Sequence, residues 1–317
     1  MNTQTQIPTL SLAQTEFDAP GFSVALGESF ERFGFAIIAD HGINAALISR
    51  AWEMTARFFA LPRETKLHYD AAPNAGQRGY TAFGTEIAKD ALQHDLKEFW
   101  HVGRDLPRDH RFRDHMPDNM WPTEIDGFQE TLSALYGAFD VAGAQILSAI
   151  ARYLGLAPDW FDPTVKNGNS ILRLLHYPPI AQNAEGIRAG AHEDINTITL
   201  LLGAEEAGLQ LLGKDGTWLA IDPPEGALVV NIGDMLQRLT NNRLPSTTHR
   251  VVNPPPERRH LPRYSMPFFL HFASDFLIET LPQCIDATHA NHYPLPIKAD
   301  AYLRERLIEI GLLKENA

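Results

Sequence analysis

Three side chains able to share one metal ion stand out in this chain. They are His192 and Asp194 in AGAHEDINTITLLL, and His249 in PSTTHRVVNPP. On a strand, residues two apart point to the same face. An imidazole at His192 and a carboxylate at Asp194 could then aim at one point, with Glu193 turned away. His249 can join them if its own strand lies alongside. Two imidazoles and one carboxylate on one face of a metal leave the opposite face open, the arrangement that suits non-haem iron(II).

A second pair lies further along. Arg263 and Ser265, in RYSMPFFLHF, are again two apart and share a strand face. An Arg inside so apolar a strand is costly unless it meets an anion. Its planar fork matches a carboxylate through two parallel hydrogen bonds, and a serine hydroxyl can add a third. The two groups together suggest a ligand with one end on the metal and a carboxylate at the other.

The stretch from GLQLLGKDGTW through PRYSMPFFL resembles the core of the iron(II)/2-oxoglutarate-dependent dioxygenases, in their isopenicillin N synthase-like branch. LRLLHYPP and GFAIIADHGI upstream are similar to the same family, so the resemblance spans nearly the whole chain. It implies that His192, Asp194 and His249 ligate Fe(II), and that Arg263 and Ser265 hold the distal carboxylate of 2-oxoglutarate. It also implies that Tyr177 contacts this cosubstrate. Many relatives carry Asn two residues before that tyrosine, where this chain has Leu175. The implied reaction consumes O2 and decarboxylates 2-oxoglutarate to succinate while oxidising an unactivated C–H of a small molecule. Arg78, Tyr80 and Phe83 become candidate substrate contacts, because the corresponding loop of relatives approaches the iron. Isopenicillin N synthase and aminocyclopropane-carboxylate oxidase share the Arg-x-Ser element. A same-family oxidase without 2-oxoglutarate and an ethylene- and succinate-forming enzyme therefore stay open, as does a non-catalytic metal-binding jelly roll.

The elements that must position these residues follow from pattern. From Ser170 onward, short β-rich runs alternate with turn-rich segments such as GKDG, PPEG and NPPPERRHLP. The expected fold is mainly β with flanking helices, built on a double-stranded β-helix or jelly roll. Residues 1–165 read as a helical and strand region packing on this core, 166–296 as the core itself, and 297–317 as a covering helix. Upstream, amphipathic patterns predict helices over 21–33, 44–60 and 123–154, with Val141 among the apolar positions of the last. Thr123 and Asp126 give a weak capping signal. Residues 74–86 read as a loop. Near the end, Leu303, Leu307 and Ile310 make one helical face, with Leu312 and Leu313 beyond it. His41 reads as a satisfied turn histidine, and Asp95, Lys97 and Glu98 as ion-pairing residues. His289 and His292 lie in a polar loop, where the nearby prolines oppose a metal site.

Composition narrows the partners. The 317 residues carry 27 basic against 39 acidic side chains, a net charge of −12. That balance opposes a nucleic-acid footprint or binding to an anionic membrane surface. The single cysteine, Cys284, rules out an intramolecular disulfide and any cysteine-rich metal cluster. No basic and apolar leader opens the chain, and no run looks long enough to span a bilayer. The expectation is a cytoplasmic protein acting on a small molecule, monomeric or weakly self-associating.

Overall fold

The computed structural model describes residues 6–72, 76–85, 94–181, 186–203 and 207–309. The chain opens with β1 (Thr9–Ser11), α1 (Thr15–Phe33), β2 (Phe35–Ala39), α2 (Ala45–Phe59) and α3 (Arg63–Leu67). Next come β3 (Gly79–Thr81), β4 (Glu98–Gly103), the long α4 (Phe128–Tyr153) and the short α5 (Asp162–Val165). The β-rich part holds β5 (Ile171–Tyr177), β6 (Ala189–His192), β7 (Ile198–Leu202), β8 (Leu209–Leu212), β9 (Trp218–Ala220) and β10 (Leu228–Ile232). After α6 (Asp234–Leu239) follow β11 (His249–Val251), β12 (Arg263–Leu270), β13 (Leu277–Ile278), β14 (Ile297–Lys298) and α7 (Ala299–Glu309).

Among the described residues, eight strands form a large sheet in the order β1-β2-β10-β7-β12-β5-β4-β3, and β6-β11-β8-β9 form a smaller one. Within these sheets every strand pair is antiparallel except β1 with β2. This is the expected mainly-β jelly roll. Strands β1 to β4, from the first half of the chain, extend the large sheet on both sides.

The two faces of the large sheet carry different cores. Its outer face packs against α1, α2 and α4 through a broad apolar cluster that includes Phe22, Phe58, Trp100, Phe128, Phe139 and Phe268. Its inner face meets the small sheet through Phe35, Ile37, Phe99, Leu175, Leu211, Val229 and Val251. Strand alternation produces this division, since residues on either side of each inner one point outward. Gly34 ends α1 at φ 69°, and a Cβ there would meet the Pro245 carbonyl at 2.6 Å. Only glycine allows both that left-handed turn and so close an approach to the segment leading into His249.

Several local expectations change. The segment expected as a loop contains β3, which pairs with β4 and so extends the sheet. The helix expected from residue 123 starts at Phe128, after Gly127 at φ 78°, and Thr123 and Asp126 make no side-chain cap. Val141 is 63% exposed, because it points away from the sheet. By length and mean hydropathy α4 could cross a bilayer, contrary to the reading from sequence. It is instead a core helix whose apolar face is covered by the large sheet, α1 and α2. Tyr302 and Leu303 of α7 pack on the outer cluster, while Ile310, Leu312 and Leu313 lie outside the described residues. His41 is satisfied: the Ile43 N–H donates to Nδ1 at 3.1 Å within the turn, and Nε2 donates at 2.7 Å to the carbonyl of Gly226, from the turn before β10.

One charged cluster is sealed beneath the helices. Glu98 accepts from Lys66 Nζ at 2.8 Å, from His176 Nδ1 at 2.7 Å and from the Tyr80 hydroxyl. Burial alone would raise its carboxyl pKa. The donors outweigh burial and hold it below the usual range. Removing one partner of such a pair strands a charge, which costs about 3–5 kcal/mol. Glu98→Ala should lower unfolding stability by about that much in urea titrations. The double variant Lys66→Met/Glu98→Met should lose clearly less. A Glu98→Ala loss no larger than that of the double variant would show that the stranded ammonium is not the cause.

Candidate active site

His192 is the last residue of β6, and His249 is the first residue of β11. The two residues are direct register partners across the small sheet. Their ring centroids lie 4.4 Å apart. Asp194 is placed differently from the expectation. It sits beyond the end of β6, so strand alternation is not what aims it. The turn is instead tied to the N-terminal end of α6. The Asp234 N–H donates to the Asp194 carbonyl at 2.7 Å, and the Gly233 N–H donates to the Thr197 carbonyl at 3.0 Å.

Hydrogen bonds then fix which atom of each side chain faces the centre. Thr199 Oγ1 and Asn231 Nδ2 both donate to Asp194 Oδ2, at 2.6 and 2.8 Å. Oδ1 is left turned toward His192 Nε2 and His249 Nε2, 3.9 Å from each. Each imidazole places Nδ1 against the carbonyl two residues earlier, Gly190 at 2.8 Å and Thr247 at 3.1 Å. A carbonyl only accepts, so Nδ1 carries a proton, and in the neutral ring Nε2 presents its lone pair. Phe35 packs edge-on against His249 with centroids 5.5 Å apart and limits its rotation. One nitrogen from each ring and one carboxylate oxygen lie within 4.8 Å of one another.

The electrostatics agree with that donor set. Burial, and then the neighbouring His249, pulls the His192 pKa well below its usual range, although part of the ring reaches the cavity. Its ring is therefore neutral near pH 7. Burial would raise the Asp194 carboxyl; the imidazoles when protonated, and the hydrogen bonds from Asn231 and Thr199, outweigh it and hold the group below its usual range. Neutral imidazole nitrogens with a carboxylate oxygen form a set that fits a divalent first-row ion such as Fe(II).

The donors open onto a cavity of about 570 Å³ between the sheets, part of it open to solvent. Arg263, Ser265 and Tyr177 line the same cavity. Arg263 and Ser265 face inward from β12, with Arg263 Nη1 donating to Ser265 Oγ at 3.3 Å. Tyr177 is the register partner of Arg263 on β5, and the guanidinium lies 5.1 Å from its ring centroid. Only 4% of Arg263 is exposed, so this cation is directed at the cavity and not at bulk water.

Arg78, Tyr80 and Phe83 do not line this cavity. Arg78 is fully buried beneath Gly103, donating to the Gln77 carbonyl and to Asn169 Oδ1. Tyr80 points to the outer face, onto Glu98. Phe83 is half exposed. Pairing of β3 with β4 explains this, since it draws the segment into the sheet and away from the mouth. Thr199, Asn231 and Phe35, which orient the candidate ligands, were not singled out from sequence. The signal for Thr199 and Asn231 was a polar residue within TITLLL and VVNIG, runs otherwise apolar, and Phe35 gave none.

Comparison with known proteins bears on this site. Residues 168–272 match the model of the 2OG-Fe(II) oxygenase superfamily, and residues 7–124 match the N-terminal model of a non-haem dioxygenase in morphine synthesis. The 2-oxoglutarate-Fe(II) type oxidoreductase hxnY of Emericella nidulans is 35% identical over 290 residues, covering 87% of this chain and 81% of that protein. A crystal structure of a 2OG-Fe(II) oxygenase family protein from Caulobacter crescentus superposes with a TM-score of 0.90 at 58% identity, covering 96% of this chain and 99% of that one. A full-length Neurospora crassa protein, crystallised in complex with alpha-KG, gives 0.85 at 30% identity, covering 97% and 98%. With matches at both ends of the fold and that depth of identity, the chain belongs to the 2OG-Fe(II) oxygenase superfamily.

Proposed function

We propose that His192, Asp194 and His249 are the iron ligands of this iron(II)- and 2-oxoglutarate-dependent dioxygenase, and that Arg263, Ser265 and Tyr177 receive the cosubstrate. One observation carries the reading. Three metal-donor atoms and a buried guanidinium converge on a single cavity from four strand or turn positions.

Each residue has a defined task. His192 and His249 each supply Nε2, with Nδ1 held by a backbone carbonyl. Asp194 supplies one oxygen, and its second oxygen is occupied by Thr199 and Asn231. Arg263 and Ser265 bind the far carboxylate of 2-oxoglutarate and fix its direction, with Tyr177 packed against the guanidinium. Leu175, Leu211 and Val251 keep the inner walls apolar and limit water around the reacting groups. Iron held by these three residues would supply oxygen activation coupled to decarboxylation of 2-oxoglutarate to succinate. The substrate is a small molecule, in keeping with a recess enclosed between two sheets. The Neurospora crassa protein, for comparison, has also been crystallised with alpha-KG and thymine.

His192→Ala and Asp194→Ala should each abolish iron-dependent succinate formation from 2-oxoglutarate, including the slow turnover without added substrate. Near-normal succinate from either variant would refute the ligand assignment. Asn231→Ala and Thr199→Val should weaken Mn(II) binding, read by electron paramagnetic resonance titration, by roughly 10–100-fold. Wild-type affinity in both would mean that Oδ2 needs no restraint. Arg263→Ala should raise the 2-oxoglutarate requirement by at least ~100-fold, since losing a buried charged partner costs about 3–5 kcal/mol. An unchanged requirement would assign Arg263 to structure.

A further inference from the structure

One short helix touches the backbone beside two of the three metal donors. Asp194 lies beyond the end of β6, and His249 opens β11 after the irregular segment 240–248. Between them in sequence stands α6. The first N–H groups of a helix have no partner within it. Here the turn that carries Asp194 takes them up. Gly233 N–H donates to the Thr197 carbonyl at 3.0 Å, Asp234 N–H to that of Asp194 at 2.7 Å, and Met235 N–H to that of Asn196 at 3.2 Å. A Cβ on Gly233 would lie 2.1 Å from the Asn196 carbonyl oxygen, so helix and turn meet backbone to backbone.

Gln237, on the same helix, reaches the approach to His249. Its carbonyl accepts from the Asn242 N–H at 2.9 Å, and its side-chain Oε1 accepts from the Ser246 N–H at 2.8 Å. Between these two bonds the chain doubles back, with Asn241 and Asn242 at φ 52° and 63°. The Ser246 bond closes that return. One residue on, the Thr247 carbonyl holds His249 Nδ1 at 3.1 Å. Sheet pairing takes over only from Thr248, whose carbonyl accepts from the Leu212 N–H at 2.8 Å. Gln237 therefore ties down the backbone next to the carbonyl that sets the direction of the His249 ring.

The helix is a firm support for both turns. Met235, Leu236 and Leu239 are buried in the outer apolar cluster. Arg238 lies against the rings of Tyr293 and Tyr302, 4.9 and 5.7 Å from their centroids. Close-packed elements move as bodies, so two turns bonded to one helix keep their spacing. Gln237 itself is only half-buried, and filling the core does not call for it.

Building on the ligand assignment above, we propose that Gln237 is a positioning residue for the metal site. Through Ser246 it fastens the approach to His249 onto the helix that already holds the Asp194 turn, so that α6 sets the spacing of these two ligands.

Gln237→Met keeps the length of the side chain and removes its acceptor, while Gln237→Glu keeps an acceptor oxygen. Mn(II) is titrated into each variant by electron paramagnetic resonance, and 2-oxoglutarate is then titrated into the Mn(II)-saturated protein. Gln237 stands one step further from the metal than a residue bonded to a ligand, so Gln237→Met should weaken Mn(II) binding by roughly 3–10-fold. Gln237→Glu should recover most of that loss. Affinity for 2-oxoglutarate at saturating Mn(II) should stay within about twofold of wild type, since Arg263 is remote from the change; a general loosening of the fold would move both affinities. Gln237→Ala repeats the measurement with a side chain too small to clash. Wild-type Mn(II) affinity in the Met and Ala variants, no recovery in Gln237→Glu, or an equal loss of 2-oxoglutarate affinity would overturn the proposal. His249→Ala reads the underlying assignment separately. If it binds Mn(II) as tightly as wild type, His249 is no ligand and this inference falls with that reading; a loss there with none in Gln237→Met sinks this inference alone.

Discussion

Asp194 is a buried anion at the junction of two sheets, and the site's geometry depends on how that charge is satisfied. The residue follows a strand of the small sheet, yet its carboxylate is held by side chains of the large one, Thr199 of β7 and Asn231 of β10. An ionised carboxyl group leaves water only when its lone pairs find donors. Both donors fall on one oxygen, and this asymmetry makes the group directional. Were they shared between the oxygens, neither would be committed to the two imidazoles.

The histidines are restrained by equally local means. Each is tied by its own backbone two residues back, so its tautomer is set locally and survives small movements of the rest of the fold. Only convergence is left to the tertiary structure, and sheet register provides it. His192 and His249 are direct partners, as are Arg263 and Tyr177. Register also relates the metal end of the cavity to its far wall, through Thr199 opposite Phe269 and His101 opposite Arg173.

Much of this was legible in the sequence, for identifiable reasons. The β12 run announces an inward Arg263 and Ser265 because alternation is local and the cost of a buried cation is general. His249 is legible once a neighbouring strand is assumed. Asp194 was expected for the wrong local reason: its direction comes from the turn bonded to the N-terminal end of α6, a contact of long-range origin. Thr199 and Asn231 were hidden because, in a strand buried on both faces, a polar residue gives no sign of which face needs it. The β3 strand was hidden for another reason. A Gly-, Pro- and Ala-rich segment has little intrinsic strand preference, and pairing with β4 alone makes it one.

The charged cluster outside the sheet bears on the chemistry inside. On β4 and β5, residues facing outward alternate with residues facing the cavity. Glu98 and His176 point to the helices, while Phe99, Leu175 and Tyr177 point inward. A slip of one residue would exchange the two sets. Glu98 would then enter the cavity as an anion beside Asp194, and Lys66 would lose its carboxylate in an apolar layer. Apolar residues alone would penalise such a slip weakly, because β5 reads ILRLLHY and offers hydrophobic side chains to both faces. The Lys66–Glu98–His176 cluster makes the correct register the only one in which these charges are paired. It reads most directly as the device that keeps Tyr177 opposite Arg263 and Arg173 opposite His101, and so sets the cavity walls from the far side of the sheet.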